Sequence, residues 1–136
     1  LVAPPALTGT RVLFVCTQNS ARSQLAAALW THRTGGAAAS AGTHPAARVH
    51  PGAVAAARRA HLDLTAARPR ALDAGARRGS LVVTVCDRAH EELGDRPDWL
   101  HWSVSDPVPA ASPAAFDAVV AELGERIDRS TGRRAA

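Results

Sequence analysis

The sequence predicts an α/β domain in three layers, a parallel sheet between two layers of helices. Three observations carry this. Short apolar runs alternate with helical segments, which implies βαβ units joined by right-handed crossovers. The first run, Val12-Leu13-Phe14-Val15, is continuously apolar rather than alternating, as suits a strand buried on both faces. A length of 136 residues fits one domain with one sizeable core.

Each element follows from local chemistry. Residues 1–10 carry two prolines and a glycine and read as a lead-in or linker remnant. Residues 11–15 are the first strand. Ser23 suits the cap of a helix running to residue 33, with Leu25, Leu29 and Trp30 as its apolar stripe and Gly35-Gly36 as its stop. Residues 37–43 form the second strand and 44–52 a loop. Helices follow at 53–61 and, beyond Arg68-Pro69-Arg70, at 71–78. Residues 81–86 are the third strand, 87–94 a short helix and 99–104 the last strand. Ser112-Pro113 opens the final helix, where Phe116, Val119, Val120, Leu123 and Ile127 share one core-facing stripe. The domain proper spans 11–130, with 131–136 a flexible basic tail.

Composition narrows the function classes. Hydrophobic residues at 46% and charged residues at 21% fit a globular chain. All sixteen basic residues are Arg, and Lys, Met and Tyr are absent, a bias of usage rather than of chemistry. The net charge of +4 is scattered, so no face is marked for nucleic acid, which enters only through a possible fused domain. No apolar run nears the roughly 18 residues of a membrane span, and the start lacks the features of a signal peptide. Two distant cysteines without an export signal point to a reducing compartment, the cytoplasm.

The chemistry concentrates in Cys16-Thr17-Gln18-Asn19-Ser20-Ala21-Arg22-Ser23, set between a strand and a helix. Backbone N–H groups of such a loop converge on one point, where the helix N-terminus adds positive potential. A cysteine there is favoured as thiolate, and its pKa is expected to fall by a unit or more. Arg22 offers a planar fork for two oxygens of a tetrahedral oxyanion. Asn19 suits loop-shaping bonds from side chain to backbone. Cys16, Cys86 and Asp106 all follow strand ends, so they are expected on one edge of the sheet. The six histidines have no metal-ligand spacing with either cysteine, and no metal is expected. His44 and His50 read as solvated loop residues.

Val-Cys-Thr-Gln-Asn-Ser-Ala-Arg-Ser-Gln resembles the phosphate-binding loop of the low-molecular-weight tyrosine phosphatase and arsenate reductase superfamily. Ser40-Ala41-Gly42-Thr43, Val82 to Asp87 and His101 to Pro107 resemble its later landmarks, in order. The resemblance covers about residues 11–129. It implies a flavodoxin-like sheet of four parallel strands in the order 2-1-3-4. It also implies that Cys16 is a nucleophile, that Ser23 donates its hydroxyl to the thiolate and that Asp106 is the general acid. Gln18 stands where many members have glycine, so a left-handed backbone there implies strain. Residues 44–52 are expected to overhang the site and contribute to substrate choice.

The resemblance leaves three functions open. Phosphotyrosine phosphatases of the family hold the phenyl ring with an aromatic residue after Asp-Pro; here Val108 follows Pro107, and the 44–52 loop offers only histidines. Arsenate has no ring to hold. Val85-Cys86-Asp87 resembles reductases in which this second cysteine attacks the arsenic-loaded first and leaves a disulfide, though a buried strand-end thiol is the plain alternative. Relatives recycled by thioredoxin have a third cysteine seven residues later, where this chain has Leu93, and others a second loop cysteine where it has Ala21. The preferred expectation is therefore an arsenate reductase without cofactor, recycled by a low-molecular-weight thiol or a glutaredoxin-like partner. The alternatives are an aryl phosphatase and an oxyanion-sensing domain of a larger arsenic-responsive regulator.

Overall fold

Residues Arg11–Cys16 form β1, a central strand of the sheet. The structure is a computed structural model that describes residues 11–132. After β1 come α1 (Arg22–Thr34), β2 (Ala38–Gly42), α2 (Pro51–Arg59), α3 (Ala74–Arg77), β3 (Ser80–Thr84), α4 (Asp87–Leu93), β4 (Leu100–His101) and α5 (Pro113–Thr131). The strands lie in the order β2-β1-β3-β4, and every pair is parallel. The expected strand order holds.

Because side chains alternate along a strand, β1 feeds two cores. Val12 and Phe14 face α1, α2 and α5, with Leu25, Leu29, Phe116, Val119, Leu123 and Ile127 in the same cluster. Leu13 and Val15 face the other way, onto Ala41, Ala76 and Val82. Phe14 lies between Trp30 and Trp102, ring centres 6.0 and 5.6 Å away, in tilted geometry that suits aromatic quadrupoles. At the far end of the sheet from the cysteine loop, Arg33 grips Asp128 with two bonds of 2.9 and 2.7 Å, tying α1 to α5.

Several boundaries differ from the sequence reading, each for a local reason. α2 starts two residues early, because Pro51 fits a first helical turn and the His50 ring accepts the Gly52 N–H at 2.9 Å. His50 is thus a helix cap stacked on Phe116, not a solvated loop residue. α3 is only four residues, capped by Asp73, while Ala71 bridges in parallel to Gly42. β3 ends two residues short of Cys86, and β4 has two residues where six were expected. α5 runs to Thr131, one residue into the segment expected as a tail. The lead-in at 1–10 and the end of the tail at 133–136 lie outside the described residues.

A polar cluster holds the short β4 in place. Asp87 accepts from His101 Nε2 at 2.8 Å and from the Ser103 hydroxyl at 3.1 Å, and His101 Nδ1 meets the buried Thr84 hydroxyl at 2.7 Å. These bonds, His101 first and Ser103 second, hold the Asp87 carboxyl below its usual range, with the Arg22 charge adding a little. Ionised Asp87 therefore favours the folded chain above the ordinary carboxylate pKa of about 3.9, and that contribution drains as pH falls through the depressed value. Asp87→Asn should lower the thermal midpoint at pH 7, and the gap from the parent should narrow in melts taken at successively lower pH beneath the ordinary carboxylate range.

Two glycines give opposite expectations. A Cβ on Gly52 would lie 2.6 Å from Phe116 Cζ, inside a packed ring, whereas exposed Gly75 in α3 has only Asp73 Oδ1 nearby at 3.4 Å. Gly52→Ala should destabilise by about 1–3 kcal/mol through overpacking. Gly75→Ala should stabilise by about 0.5–1 kcal/mol. Urea midpoints at unchanged slope are the measurement.

Candidate functional site

The last residue of β1 delivers Cys16 to the carboxyl edge of the sheet, and residues 17–21 turn there before α1 begins at Arg22. The turn is braced from behind. Thr43, His44, Ala46 and His50 donate backbone N–H groups to the carbonyls of Cys16, Thr17, Gln18 and Ser20, at 3.1, 2.7, 2.9 and 2.8 Å. In a planar trans peptide the N–H points opposite to the C=O. With those four carbonyls turned outward, the N–H groups of residues 17, 18, 19 and 21 turn inward, toward the sulfur side of the loop. The Asn19 N–H reaches Cys16 Sγ at 3.2 Å. Gly42 permits this close approach, since a Cβ there would lie 2.7 Å from the Thr17 carbonyl oxygen.

The left-handed residue of the loop is Asn19, at φ 53°, and Gln18 carries no such strain. Asparagine tolerates this conformation better than most side chains. Its side chain is fully buried and works mostly through side-chain partners, although its Oδ1 takes the Arg70 backbone N–H at 3.0 Å. Ser23 is not the helix cap. Ala21 holds that position without any side-chain bond, and Ser23 lies inside the first turn with its hydroxyl 2.9 Å from Cys16 Sγ. The hydroxyl role implied by the resemblance is thus geometrically available, and the capping role is not.

Cys16 is 3% exposed, and burial pushes its thiol up from the ordinary value. The Ser23 hydroxyl and the Ser23 and Asn19 N–H groups pull it down, and nearby Cys86 adds to the rise. The expected fall of a unit or more is therefore not met, because burial outweighs the donors. Arg22 divides its fork: Nη1 donates to the Val104 carbonyl at 2.9 Å, and Nη2 lies 3.9 Å from Asp106 Oδ2. Asp106 Oδ1 accepts the Val108 N–H at 3.0 Å, so the aspartate both makes a turn and faces the site.

Cys86 is the N-cap of α4, its sulfur accepting the Ala89 N–H at 3.3 Å. It also lies 3.3 Å from the hydroxyl of Thr17, the neighbour of Cys16. A cavity of about 470 Å³ brings these groups together, lined by Cys16 to Gln18, Ser20 to Arg22, Cys86 to Arg88, Ser103 to Asp106 and Val108. The one-edge expectation is met for Cys16, Cys86 and Asp106, and Arg22 lines the same cavity. One other expectation is not met: residues 44–52 brace the loop and do not line the cavity. Asn19 and Ser23 are buried beneath it, where Asn19 shapes the loop and Ser23 faces the Cys16 sulfur. No aromatic side chain lines the cavity.

Sequence reasoning missed Gln24, Asp87 and Arg88. Gln24 is 6% exposed, a polar residue on the buried face of α1 beside Leu25 and Ala26, and that position was its signal. Asp87 and Arg88 line the cavity only because α4 starts at the sheet edge, which no local pattern reveals. Among the described residues no three His, Cys, Asp or Glu side chains gather as a metal site, and no helix is long and apolar enough to cross a membrane.

Comparison with known proteins agrees with this geometry. The chain is 36% identical over 124 residues to an arsenate reductase of Bacillus anthracis, covering 87% of this chain and 91% of the relative. A crystal structure of arsenate reductase from Archaeoglobus fulgidus superposes with a TM-score of 0.74 at 28% identity, covering 90% of this chain and 99% of that one. A mutant of YwlE from Bacillus subtilis superposes at 0.79 with 23% identity, covering 91% and 97%, a likeness of fold alone. Residues 11–131 match the family described as low molecular weight phosphotyrosine protein phosphatase, and the chain belongs to it.

Proposed function

We propose that the chain is an arsenate reductase that draws its electrons from thiols. The observation that carries the reading is a second sulfur in the cavity of the first, with Thr17 in contact between them. The curated relatives named as arsenate reductases support it. The Cys16 thiolate attacks arsenate held by the inward N–H groups and by Arg22, forming an S–As bond as water leaves. Asp106 protonates the departing oxygen. The Cys86 thiolate then attacks the Cys16 sulfur. An S–S bond forms, the S–As pair passes to arsenic, and arsenic(V) leaves as arsenite. Two external thiols, from a small thiol or a glutaredoxin-like partner, reduce the disulfide and become a disulfide themselves. No cofactor is needed, and the reducing cytoplasm suits both free thiols.

The second reading is a phosphatase, supported by the family description and by a loop, arginine and aspartate that suffice for a cysteinyl-phosphate route. It needs no second cysteine. The relatives above carry enzyme names, so the sensor alternative gains no support from them.

Arsenate reduction measured with different thiol systems in turn is the test. Cys16→Ser should abolish it, by roughly 10⁴-fold or more. Cys86→Ser should abolish arsenite formation yet leave one turnover of Cys16 loading; full hydrolysis of p-nitrophenyl phosphate by Cys86→Ser, with no arsenate reduction by the parent, would establish the phosphatase instead. Asp106→Asn should slow the first step about 10²–10⁴-fold, read by rapid quench.

A further inference from the structure

The sulfur of Cys16 ends a chain of buried hydrogen bonds whose directions are fixed by groups with only one role. The Arg70 backbone N–H can only donate, and it lies 3.0 Å from one terminal atom of Asn19, which is therefore Oδ1. The other terminal atom is then the NH2 group, 2.7 Å from Ser23 Oγ. Having accepted there, Ser23 keeps its own proton for Cys16 Sγ at 2.9 Å. Reversing the Asn19 amide would set its oxygen against Ser23, draw the hydroxyl proton away from the sulfur and leave two N–H groups facing each other at Arg70.

Gln24 closes the chain. Its Nε2 lies 3.2 Å from the Asn19 carbonyl oxygen and 3.2 Å from the Arg68 carbonyl oxygen, groups that only accept, so the NH2 side must face them. The same nitrogen lies 3.1 Å from Asn19 Oδ1, a second donor on that oxygen. Terminal amide torsions are broad, so a single bond from a separate segment holds Asn19 loosely. Gln24 grips its backbone and its side chain together and ties both to residues 68–70. The group is dry: Gln24 is 6% exposed, and Asn19 and Ser23 are fully buried.

We propose that Gln24 is a positioning residue for the nucleophile: it keeps the Asn19 amide oriented so that the Ser23 hydroxyl stays aimed at Cys16 Sγ. The proposal rests on Cys16 being the reacting sulfur, and it adds a residue that touches neither the sulfur nor the cavity.

The test needs no arsenate. In a Cys86→Ser background, Cys16 is alkylated with iodoacetamide across pH to give its titration midpoint. Gln24→Met keeps the size and removes the donors, and should raise the midpoint by about one unit, a tenfold loss of thiolate at neutral pH. Ser23→Ala should raise it at least as far, and the double variant no further than Ser23→Ala alone, since both act through one hydroxyl. In the Cys86-containing protein, Gln24→Met should turn over about tenfold slower at neutral pH and recover in alkali. An unchanged midpoint, or shifts that add in full, overturns the proposal. Should Gln24→Met fail to fold, Gln24→Glu sets a carboxylate against three acceptors and should shift the midpoint further; no shift there overturns it equally. A normal Gln24 effect in a protein that never reduces arsenate overturns the reductase reading alone.

Discussion

The site depends on which way four peptide planes face. The backbone N–H groups of residues 43, 44, 46 and 50 take the loop carbonyls from behind, and planarity turns the loop's own N–H groups toward the sulfur. Neither the cysteine nor the arginine builds this arrangement. It comes from the chain after β2 running back along the loop, which requires Gly42 at the crossing. β1 supplies the rigidity underneath, since Val12, Leu13, Phe14 and Val15 are fully buried and packed from both sides.

Around that frame the two sulfurs have contrasting settings. Cys16 collects donors from a left-handed asparagine and from a serine in the first turn of α1. Cys86 takes its donor from the start of another helix and leans on Thr17. Both are buried free thiols reached through one cavity, whose charged groups are Arg22, Asp87, Arg88 and Asp106. Such a wall suits a small, compact, anionic ligand better than a flat ring, because it offers polar groups and Val108 where a ring would need aromatic faces.

Much of this was legible in the sequence where period and chemistry agree. The unbroken apolar run of β1, the Ser112-Pro113 start of α5 and its stripe of Phe116, Val119, Leu123 and Ile127 are strong local signals, and all hold. Cys16, Arg22, Cys86 and Asp106 were legible because a parallel sheet gathers the residues just past its strand ends on one edge. Positions set by tertiary contacts were not. Ser23 has the chemistry of a cap yet serves the sulfur, because the turn ends two residues earlier than propensity suggests. The brace role of residues 43–50 lies in backbone bonds, which no side chain records. The two-residue β4 follows from Asp87 and His101 meeting across fourteen positions.

The N-cap of α1 is Ala21, which offers no side-chain bond to the first free N–H groups of the helix. A helix start normally recruits a Ser, Thr, Asp or Asn for that purpose, at a gain of about 1 kcal/mol. Any anion that binds this turn in the folded chain and not in the unfolded one adds to stability, so its concentration becomes a term in the folding equilibrium. Inward N–H groups at a helix start favour a compact anion by charge and shape, and phosphate and arsenate share both. On the proposed reading both ions tighten the molecule alike, and the choice between them would fall to the Cys86 sulfur, since of the two only arsenate readily takes up an electron pair.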